Sequence, residues 1–454
     1  MIKIYKILII IILQCIISKS LFAKVELIRD AEIEQFLSDI VAPIAKAAEL
    51  DHKNINIHII NDNKINAFVS NGQNIFINSG LIRKFKRPDA LIGVIAHEIG
   101  HIKAGHLATY EENFQGSKNA LILGYILGAG AIASGSYDAG SAIIIGSSHI
   151  SDRIQKKYSR SQEEIADQYA IEFLDNISYS SNGLIRLLQY LQKEHQSYGD
   201  MIDQYALTHP ISSNRINFIR NYHSKLAKSN NVKEKVYYDS LIFQEKMDII
   251  RAKIAAFSED PTLLIKKNKD KNNLISKYIL AIAYHRNGNH DKSIKLLSNL
   301  IDNSSFLDLK YLFELRAQFY FEHGNIKKSI SDYRDAIKLM LLKDSFLARI
   351  SFANAVLSLE KNDNKLLKIS LKLLDQLLII NPNNATLNQK IAAIHHKMGD
   401  KIRSDIYLAK YYFYTNNLDN AKKILQNVKE SLKRELKDSE VNLKIADLED
   451  LLED

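Results

Sequence analysis

Apolar and polar positions follow two different rhythms in the first part of this chain. Within residues 25–50, AEIEQFLSDIVAPIAKAAEL places apolar side chains three and four positions apart, which predicts an amphipathic helix. The segments NINIHIIND and NAFVSNGQNIFINSGLI then alternate apolar and polar residues, so we expect short strands. Asn71 and Gly72 predict a hairpin turn between strands at Ala67–Ser70 and Asn74–Ile77. A small sheet beside helices is the expected result.

Further helices follow the sheet. Pro88 and Asp89 open the segment ALIGVIAHEIGHIKAGH, which is apolar on nearly every side and therefore predicts a buried helix. Another helix is predicted at about 150–174, and one more leads to the loop THPISSNR at 208–215. The polar residues 228–235 read as a linker.

A stretch rich in Gly, Ala and Ser lies at residues 120–146. Its longest apolar run is about 14 residues, which is shorter than the roughly 20 that a membrane-spanning helix needs. This composition predicts close helix packing or a mobile cover over a cleft. Peripheral contact with a membrane surface is the alternative.

Beyond about residue 240 the pattern predicts short helices and contains an internal repeat. YHRNGNHDKSIKLL and YFEHGNIKKSISDY match at a period of 36 residues, with these pairs in register: Tyr284 and Tyr320, Gly288 and Gly324, Asn289 and Asn325, Ser293 and Ser329. The pattern resembles tetratricopeptide repeats, whose usual period is about 34. Looser copies follow at 357–379, 398–409 and 414–425. Such helical hairpins stack and present a concave groove for peptides or helices, with a plain helical bundle as the alternative.

The N-terminus has the layout of a secretory signal peptide at residues 1–23. Two lysines precede an apolar run at 7–17, and a short polar stretch ends at Ala23. We therefore expect export to a bacterial periplasm, with an uncleaved membrane anchor as the alternative. The only cysteine, Cys15, lies in this run, so the chain after cleavage has no disulfide.

Length and charge narrow the class of protein. A chain of 454 residues usually forms two domains, for which we predict the ranges 24–228 and 229–454. Hydrophobic residues at 46% and charged residues at 25% are typical of globular proteins. The net charge of +9 falls to +6 without the three lysines of the signal peptide, and no basic motif accompanies it. We therefore expect no nucleic-acid partner.

The segment His97-Glu98-Ile99-Gly100-His101 carries the clearest chemistry. Two histidines four positions apart lie on one face of a helix, where both imidazoles reach one metal ion. Zinc suits this arrangement, and Glu98 is placed to act as a general base toward water. The sequence thus predicts a metal site with one zinc ion per chain.

A third ligand is needed, and the spacing leaves alternatives open. In the pattern H-E-x-x-H-x-x-G-x-x-H, the glycine and the third histidine would fall at positions 104 and 107, which hold alanine and leucine. His106 turns off the ligand face, so we expect it beside the ligands or at the surface. Glu163 and Glu164 are the other candidates, and spacing alone does not choose between them. Asp167, one turn on, is placed to accept a hydrogen bond from a ligand histidine.

These motifs resemble the HtpX-like and CAAX-prenyl-endopeptidase group of zinc metalloproteases, in which H-E-x-x-H is followed much later by E-x-x-A-D. The second motif falls on Glu163, Ala166 and Asp167, so the resemblance implies Glu163 as the third ligand. The similarity also covers NAF at 66–68, SGLI at 79–82 and the loop containing THP. It implies a mainly α fold with a small β-sheet: a zincin-like metalloprotease domain followed by a tetratricopeptide-like solenoid.

The resemblance also implies roles around the metal. The strand near NAF pairs with extended substrate. His209 and Arg215 line the active site and steady the oxyanion. Alternatively, His209 binds zinc and plugs the site in a latent form, or it is an ordinary loop histidine.

Together with the signal peptide and the repeats, the resemblance implies a function in protein quality control. We expect a periplasmic endopeptidase that degrades unfolded or misassembled proteins, including stalled outer-membrane proteins, with the repeats docking to the outer-membrane assembly machinery. HtpX itself carries transmembrane helices, and none is predicted here. The alternative is a repeat-based scaffold or chaperone with a latent protease domain. Glu98 argues against that alternative, because a scaffold has no physical need of a general base.

Overall fold

A computed structural model describes residues 27–70, 73–106, 158–198, 209–211, 213–229, 241–303, 308–432 and 439–453. The predicted signal peptide, the Asn71–Gly72 turn, the 120–146 segment and most of the predicted linker lie outside these residues. No helix in the described ranges is both long and apolar enough to cross a membrane.

The N-terminal region combines helices with one sheet. Its elements are β1 (Leu27–Ile28), α1 (Ala31–Ala47), a 3-10 turn (His52–Asn54), β2 (Asn56–Ile60), β3 (Ala67–Ser70), β4 (Asn74–Asn78), α2 (Ser79–Lys84), α3 (Pro88–Lys103), α4 (Arg160–Asn176), α5 (Asn182–Tyr198) and α6 (Ser213–Ser229).

The sheet has the strand order β1-β2-β4-β3. The two central strands, β2 and β4, are parallel, and the outer strands pair antiparallel to them. The predicted strands at 67–70 and 74–77 are thus present and paired, with Val69 opposite Ile75. Strand β3 lies at one edge of this sheet.

Helix α3 lies at the centre of the N-terminal core. Every residue from Pro88 to His101 is buried, as the apolar pattern predicted. The helix packs against α1, α4, α5 and β3. At Gly100 a Cβ atom would lie 2.6 Å from the carbonyl oxygen of Ala166, so only glycine allows α3 and α4 to approach this closely. This contact brings the first turn of α4 beside the two histidines of α3.

A capping box fixes the start of α4. The Ser159 side chain accepts a hydrogen bond from the Gln162 backbone, and the Gln162 side chain accepts one from the Ser159 backbone. These bonds satisfy two backbone donors that the helix leaves free. Glu163 follows directly, so its position in the first turn is set by local sequence.

The C-terminal region is helical throughout its described residues. It contains α7 (Leu241–Ser258), α8 (Pro261–Asn268), α9 (Leu274–Arg286), α10 (His290–Asn303), α11 (Leu309–Glu322), α12 (Ile326–Leu339), a 3-10 turn (Leu342–Asp344), α13 (Phe346–Leu357), α14 (Asn364–Ile380), α15 (Ala385–Lys397), α16 (Lys401–Tyr414), α17 (Leu418–Leu432) and α18 (Ser439–Glu453). From α9 to α18 each helix packs on the next along the chain. The prediction of a mainly α fold with one small sheet, followed by a helical region, is confirmed.

Equivalent turns recur between these helices. Gly288, Gly324 and Gly399 each join two helices with φ between +78° and +83°, a left-handed conformation that favours glycine. Five residues after each glycine a serine is buried: Ser293, Ser329 and Ser404. The internal repeat read from the sequence is therefore a repeat in structure. Its classification as tetratricopeptide stays a prediction.

Helix α7 belongs to both regions. Its residues Phe243, Met247, Ile250 and Ile254 lie in the N-terminal core, where Phe243 stacks on Phe36 at 4.9 Å. Other residues of the same helix pack with α9, α10 and α11. The predicted domain boundary after residue 228 stays a prediction.

A buried charged group, which we call the Lys253 cluster, joins the start of α1 to the helical region. Lys253 of α7 is 2% exposed, and its Nζ lies 2.7 Å from Asp30 Oδ2 and 2.9 Å from Glu32 Oε2. The Tyr278 hydroxyl of α9 donates to Glu32 Oε2 at 3.2 Å. Glu314 of α11 lies close enough to interact electrostatically with these groups. The cluster therefore ties together four helices that are distant in sequence.

Candidate metal centre

Four metal-ligating side chains from three parts of the chain converge in the N-terminal core. His97 and His101 come from α3, Glu163 from the first turn of α4, and His209 from the loop before α6. All four are fully buried, and their ligand atoms lie within 4.8 Å of one another. Their convergence predicts a site for one cation.

The separations of the donor atoms fit a tetrahedral ion. Nitrogen and oxygen ligands lie about 2.0–2.1 Å from zinc, so two ligands at the corners of a tetrahedron are about 3.3 Å apart. Here the His97 Nε2 atom lies 3.1 Å from His101 Nε2, 3.3 Å from Glu163 Oε2 and 3.3 Å from His209 Nδ1. Glu163 Oε1 lies 3.3 Å from His101 Nε2 and 3.0 Å from His209 Nδ1. Five of the six separations among the four residues are therefore close to a tetrahedral edge, when both oxygens of Glu163 are counted.

Asp167 and Arg215 contact the ligand residues through hydrogen bonds and ion pairs. Asp167 Oδ1 lies 2.9 Å from His97 Nδ1, so the proton of that ring belongs on Nδ1 and the Nε2 lone pair faces the cluster. Arg215 donates two hydrogen bonds to Asp167, at 2.7 and 2.8 Å, and pairs with Glu163 at 2.6 Å. It also donates to the carbonyl of Pro210. The guanidinium therefore fixes both carboxylates and the loop that carries His209.

Two aromatic residues support His101. Its Nδ1 lies 2.9 Å from His106 Nδ1, so His106 lies beside the ligands, one of the two positions expected for it. Tyr158 stacks on the His101 ring at 3.8 Å. Sequence reasoning missed Tyr158 because it lies two residues before α4 and belongs to no motif.

The electrostatics of the centre favour positive charge. Burial alone would lower the pKa of His97, but Glu163 and Asp167 raise that pKa to about 10. Despite burial, His209 and Arg215 hold the pKa of Glu163 well below its ordinary value. Burial lowers the pKa of His101 and so favours the neutral form that binds metals. Without a metal a proton on His97 balances the carboxylates, and a divalent cation can take its place.

Glu98 differs from the other buried carboxylates. Among the described residues no donor makes a hydrogen bond to either of its oxygens, although His209 Nε2 lies 3.5 Å from Oε1. Burial raises the pKa of Glu98. Since an unsatisfied buried carboxylate is costly, its position beside the donor cluster suits a group that exchanges protons with water. The donor set and Glu98 together fit a zinc ion.

The structure brings together every site residue predicted from the sequence. Of the two candidate glutamates, Glu163 lies in the cluster and Glu164 is exposed. Arg215 contacts Asp167 and Glu163, and its predicted oxyanion role stays a prediction. The predicted substrate strand corresponds to β3 at the edge of the sheet.

Comparison with known proteins gives a family for this region. Residues 30–223 match Peptidase family M48. The beta-barrel assembly-enhancing protease of Yersinia pestis is 26% identical over 294 residues, which are 63% of this chain and 59% of that protein. The protein of the same name from Escherichia coli (strain K12) is 27% identical over 195 residues, which are 43% of this chain and 40% of that protein. The chain thus spans about half the length of these relatives.

A more distant relative is the mitochondrial metalloendopeptidase OMA1 of Saccharomyces cerevisiae, 25% identical over 213 residues, which are 45% of this chain and 57% of that protein. These comparisons confirm the resemblance to zinc metalloproteases that H-E-x-x-H and E-x-x-A-D predicted, and they add the similarity to the beta-barrel assembly-enhancing protease. Family M48 peptidases depend on zinc, which confirms the predicted cofactor. Residues 30–223 of this chain therefore resemble a peptidase family M48 domain.

Proposed function

We propose that this chain is a zinc metalloendopeptidase and that the arrangement described here is its latent form. The observation that carries the proposal is the set of buried donors at tetrahedral separations with Glu98 beside them. His97, His101 and Glu163 would hold one zinc ion, and Asp167 positions His97 through its Nδ1 proton. Zinc supplies a Lewis acid that polarises a peptide carbonyl and makes water more acidic.

Glu98 performs the proton transfers. One of its carboxylate oxygens takes the proton from the attacking water and then delivers it to the nitrogen of the departing amine. Its raised pKa suits this role, because a base whose pKa lies nearer neutrality also serves as the acid of the second step. The edge strand β3 takes up an extended substrate by strand pairing.

His209 controls access. Its Nδ1 stands at the fourth corner, and its Nε2 lies 3.5 Å from the base. Water and substrate would need the space that His209 occupies beside His97 and Glu163, so His209 would leave it before catalysis begins. Arg215 holds the Pro210 carbonyl next to His209 and limits this movement.

The physiological setting follows from the whole chain. The predicted signal peptide supports a periplasmic location, with membrane anchoring by an uncleaved N-terminus as the alternative. The names of the bacterial relatives support a role in outer-membrane protein assembly. We propose unfolded or misassembled proteins as substrates and the assembly machinery as the partner of the repeats. Residues 120–146 are the candidate for peripheral membrane contact.

The position of His209 favours one second candidate. A repeat-based scaffold or chaperone would retain a domain that stays closed, and the four-ligand arrangement is closed. In that case zinc is structural, and removing His209 releases no activity.

The deciding experiment measures zinc content and casein degradation for the chain lacking residues 1–23. After dialysis against metal-free buffer we expect one tightly bound zinc per chain. Glu98→Gln should keep the zinc and lose proteolysis by at least about a hundredfold, as expected for removal of a general base. His209→Ala should raise activity, and Glu164→Gln, an exposed neighbour on α4, should change neither quantity.

Other outcomes separate the two candidates. Activity that survives Glu98→Gln would overturn the catalytic assignment. Bound zinc with no proteolysis in either the wild type or His209→Ala would favour the scaffold. Absence of tightly bound metal would exclude both.

A further inference from the structure

Helix α3 ends two residues after His101, and the turn that follows brings His106 back beside that ligand. The backbone N–H of His106 donates to the carbonyl of His101 at 3.2 Å, and the N–H of Gly105 donates to the carbonyl of Ile102 at 3.1 Å. Gly105 has a φ of +65°. Two such bonds around a left-handed glycine form a Schellman motif, which places the side chain after the glycine against the last turn of the helix.

This turn explains why helical spacing misjudged His106. The spacing turns residue 106 away from the ligand face only if the helix continues, and the helix ends at Lys103. The side-chain contact that accompanies a Schellman motif is frequently apolar. Here it joins two imidazoles, whose Nδ1 atoms lie 2.9 Å apart. The contact that closes this helix is therefore a hydrogen bond to a metal-ligating side chain.

The roles of the two rings in that bond follow from the cluster. His101 Nε2 lies 3.1 Å from His97 Nε2 and 3.3 Å from Glu163 Oε1, so it is the ligand atom. A neutral histidine that binds a metal through Nε2 carries its proton on Nδ1. His101 Nδ1 therefore donates to His106 Nδ1, and the proton of the His106 ring lies on its own Nε2. Tyr158 stacks on the His101 ring at 3.8 Å and restrains it across its plane.

The two ligand histidines of α3 thus have partners of different charge. Asp167 Oδ1 lies 2.9 Å from His97 Nδ1, and this carboxylate makes His97 a more basic ligand. His106 offers His101 a lone pair of a neutral ring instead. Both partners fix the tautomer of a ligand, but only one of them adds negative charge to the centre.

We infer that His106 is a positioning residue of the metal centre, which holds His101 in the tautomer and orientation that bind the ion. Gly105 makes this possible because it adopts the left-handed turn. His106 is not one of the four residues whose ligand atoms converge, so it acts through His101. The inference rests on the proposed function only in taking the cluster as a zinc site.

The test is the zinc affinity of the full chain, measured by competition with a chelator. His106→Leu keeps an apolar contact for the turn and removes the acceptor, so zinc should bind about 10- to 100-fold more weakly. His106→Asn places an amide oxygen where the Nδ1 lone pair was, so its affinity should stay close to wild type. Lys103→Leu puts a leucine into the last turn of α3, where Lys103 pairs with the exposed Glu49, and serves as the matched control with wild-type affinity.

A second pair of variants changes the turn and leaves every histidine in place. At Gly105 an added Cβ would meet no atom of the described residues within 4 Å, so a substitution there acts through backbone conformation. Gly105→Ala disfavours the left-handed turn and should weaken zinc binding. Gly105→Asn should weaken it less, because asparagine visits that conformation more readily than alanine.

The outcomes separate this inference from the proposed function. Thermal melting without metal verifies that each variant folds. Wild-type zinc affinity in His106→Leu would overturn the inference and leave the proposed function standing. Equal losses in His106→Leu and His106→Asn would also overturn it, because the acceptor would then have no effect. Zinc affinities in the expected order, with no proteolysis by any variant or by wild type, would overturn the proposed function alone. A wild-type chain that binds no zinc would overturn both.

Discussion

Replacing Lys253 with methionine tests how the N-terminal core is joined to the helical region. Methionine keeps the length of the side chain and removes its ammonium group. The variant therefore leaves Asp30 and Glu32 at the start of α1 without the cation that contacts both of them, at 2.7 and 2.9 Å. Since Lys253 is 2% exposed, water does not replace it.

The expected loss is large because the pairs are buried. Removing one partner from a buried ion pair costs about 3–5 kcal/mol. At about 1.4 kcal/mol for each factor of ten, opening of the first turns of α1 should become roughly a hundred to several thousand times more frequent. Although burial opposes it, Asp30, Tyr278 and Glu32 hold the pKa of Lys253 well above its ordinary value, so the lysine stays charged at every pH used below.

The loss should depend on pH. Burial, and after it the charge of Asp30, raises the pKa of Glu314 to about 8, from an ordinary value of 4.5. Between these two values the folded chain binds more protons than the unfolded chain, so stability falls as pH rises through this window. Without Lys253, protonation of the neighbouring carboxylates stabilises the folded chain even more. The fall in stability with rising pH therefore becomes steeper. The penalty of Lys253→Met should therefore be larger at pH 8 than at pH 5.

Hydrogen exchange followed by mass spectrometry measures the opening of α1 directly, on the amides of Ala31–Ala47. Thermal melts at pH 5 and pH 8 give the global stability. Lys401→Met is the control, because Lys401 is 76% exposed and its ion pair with Asp405 lies within α16. Such an exposed pair is worth less than about 1 kcal/mol. Equal exchange in Lys253→Met and wild type at pH 8 would refute the reasoning.

Three further predictions concern single contacts. Asp167→Asn removes the carboxylate that orients His97, and should weaken zinc binding by about 10- to 100-fold in a chelator competition. Gly100→Ala places a Cβ 2.6 Å from the Ala166 oxygen, so α3 and α4 must separate, at a cost of about 1–3 kcal/mol in thermal or urea unfolding. Ser329 is fully buried, and its hydroxyl has no hydrogen-bond partner among the described residues. Ser329→Ala should therefore leave stability unchanged or raise it by up to about 1 kcal/mol, whereas Ser329→Leu should lower it by about 1–3 kcal/mol.

Each of these has a clear contrary result. Zinc affinity unchanged in Asp167→Asn would show that His97 needs no partner, and Glu164→Gln on the same helix gives the baseline. A wild-type melting temperature for Gly100→Ala would mean that α3 and α4 slide apart without loss. A Ser329→Ala variant that melts well below wild type would show that the Ser329 hydroxyl makes a stabilising hydrogen bond.

Local patterns in the sequence predicted the elements that depend on local rules. Alternation and turn residues located β3 and β4, and the unbroken apolar face of α3 identified a buried helix. The histidine pair followed from helical spacing alone. The choice of Glu163 over Glu164 did not, because two carboxylates on one turn differ only in what packs against them, and the E-x-x-A-D resemblance was needed to separate them.

Contacts between segments that are distant in sequence could not be predicted, because they produce no local pattern of residues. Tyr158 reaches His101 across a gap of more than fifty residues, and nothing in its surroundings marks it. Asp30 and Glu32 read as an ordinary acidic helix start, and their partner Lys253 as one lysine of an amphipathic helix. Burial of all three depends on how the helical region lies against α1, which periodicity does not report.

The shared helix α7 limits how this protein can be divided or recombined. A cut at residue 228 would leave the N-terminal core without Phe243, Met247, Ile250 and Ile254, and Phe36 would lose its stacking partner. A chimera that preserves the metal site must therefore keep this chain at least as far as Ser258. The replacement segment must also supply packing partners for the residues of α7 that contact α9, α10 and α11. The metal centre and the helical region are consequently not interchangeable modules, and we expect substitutions on either side of α7 to have coupled effects on stability.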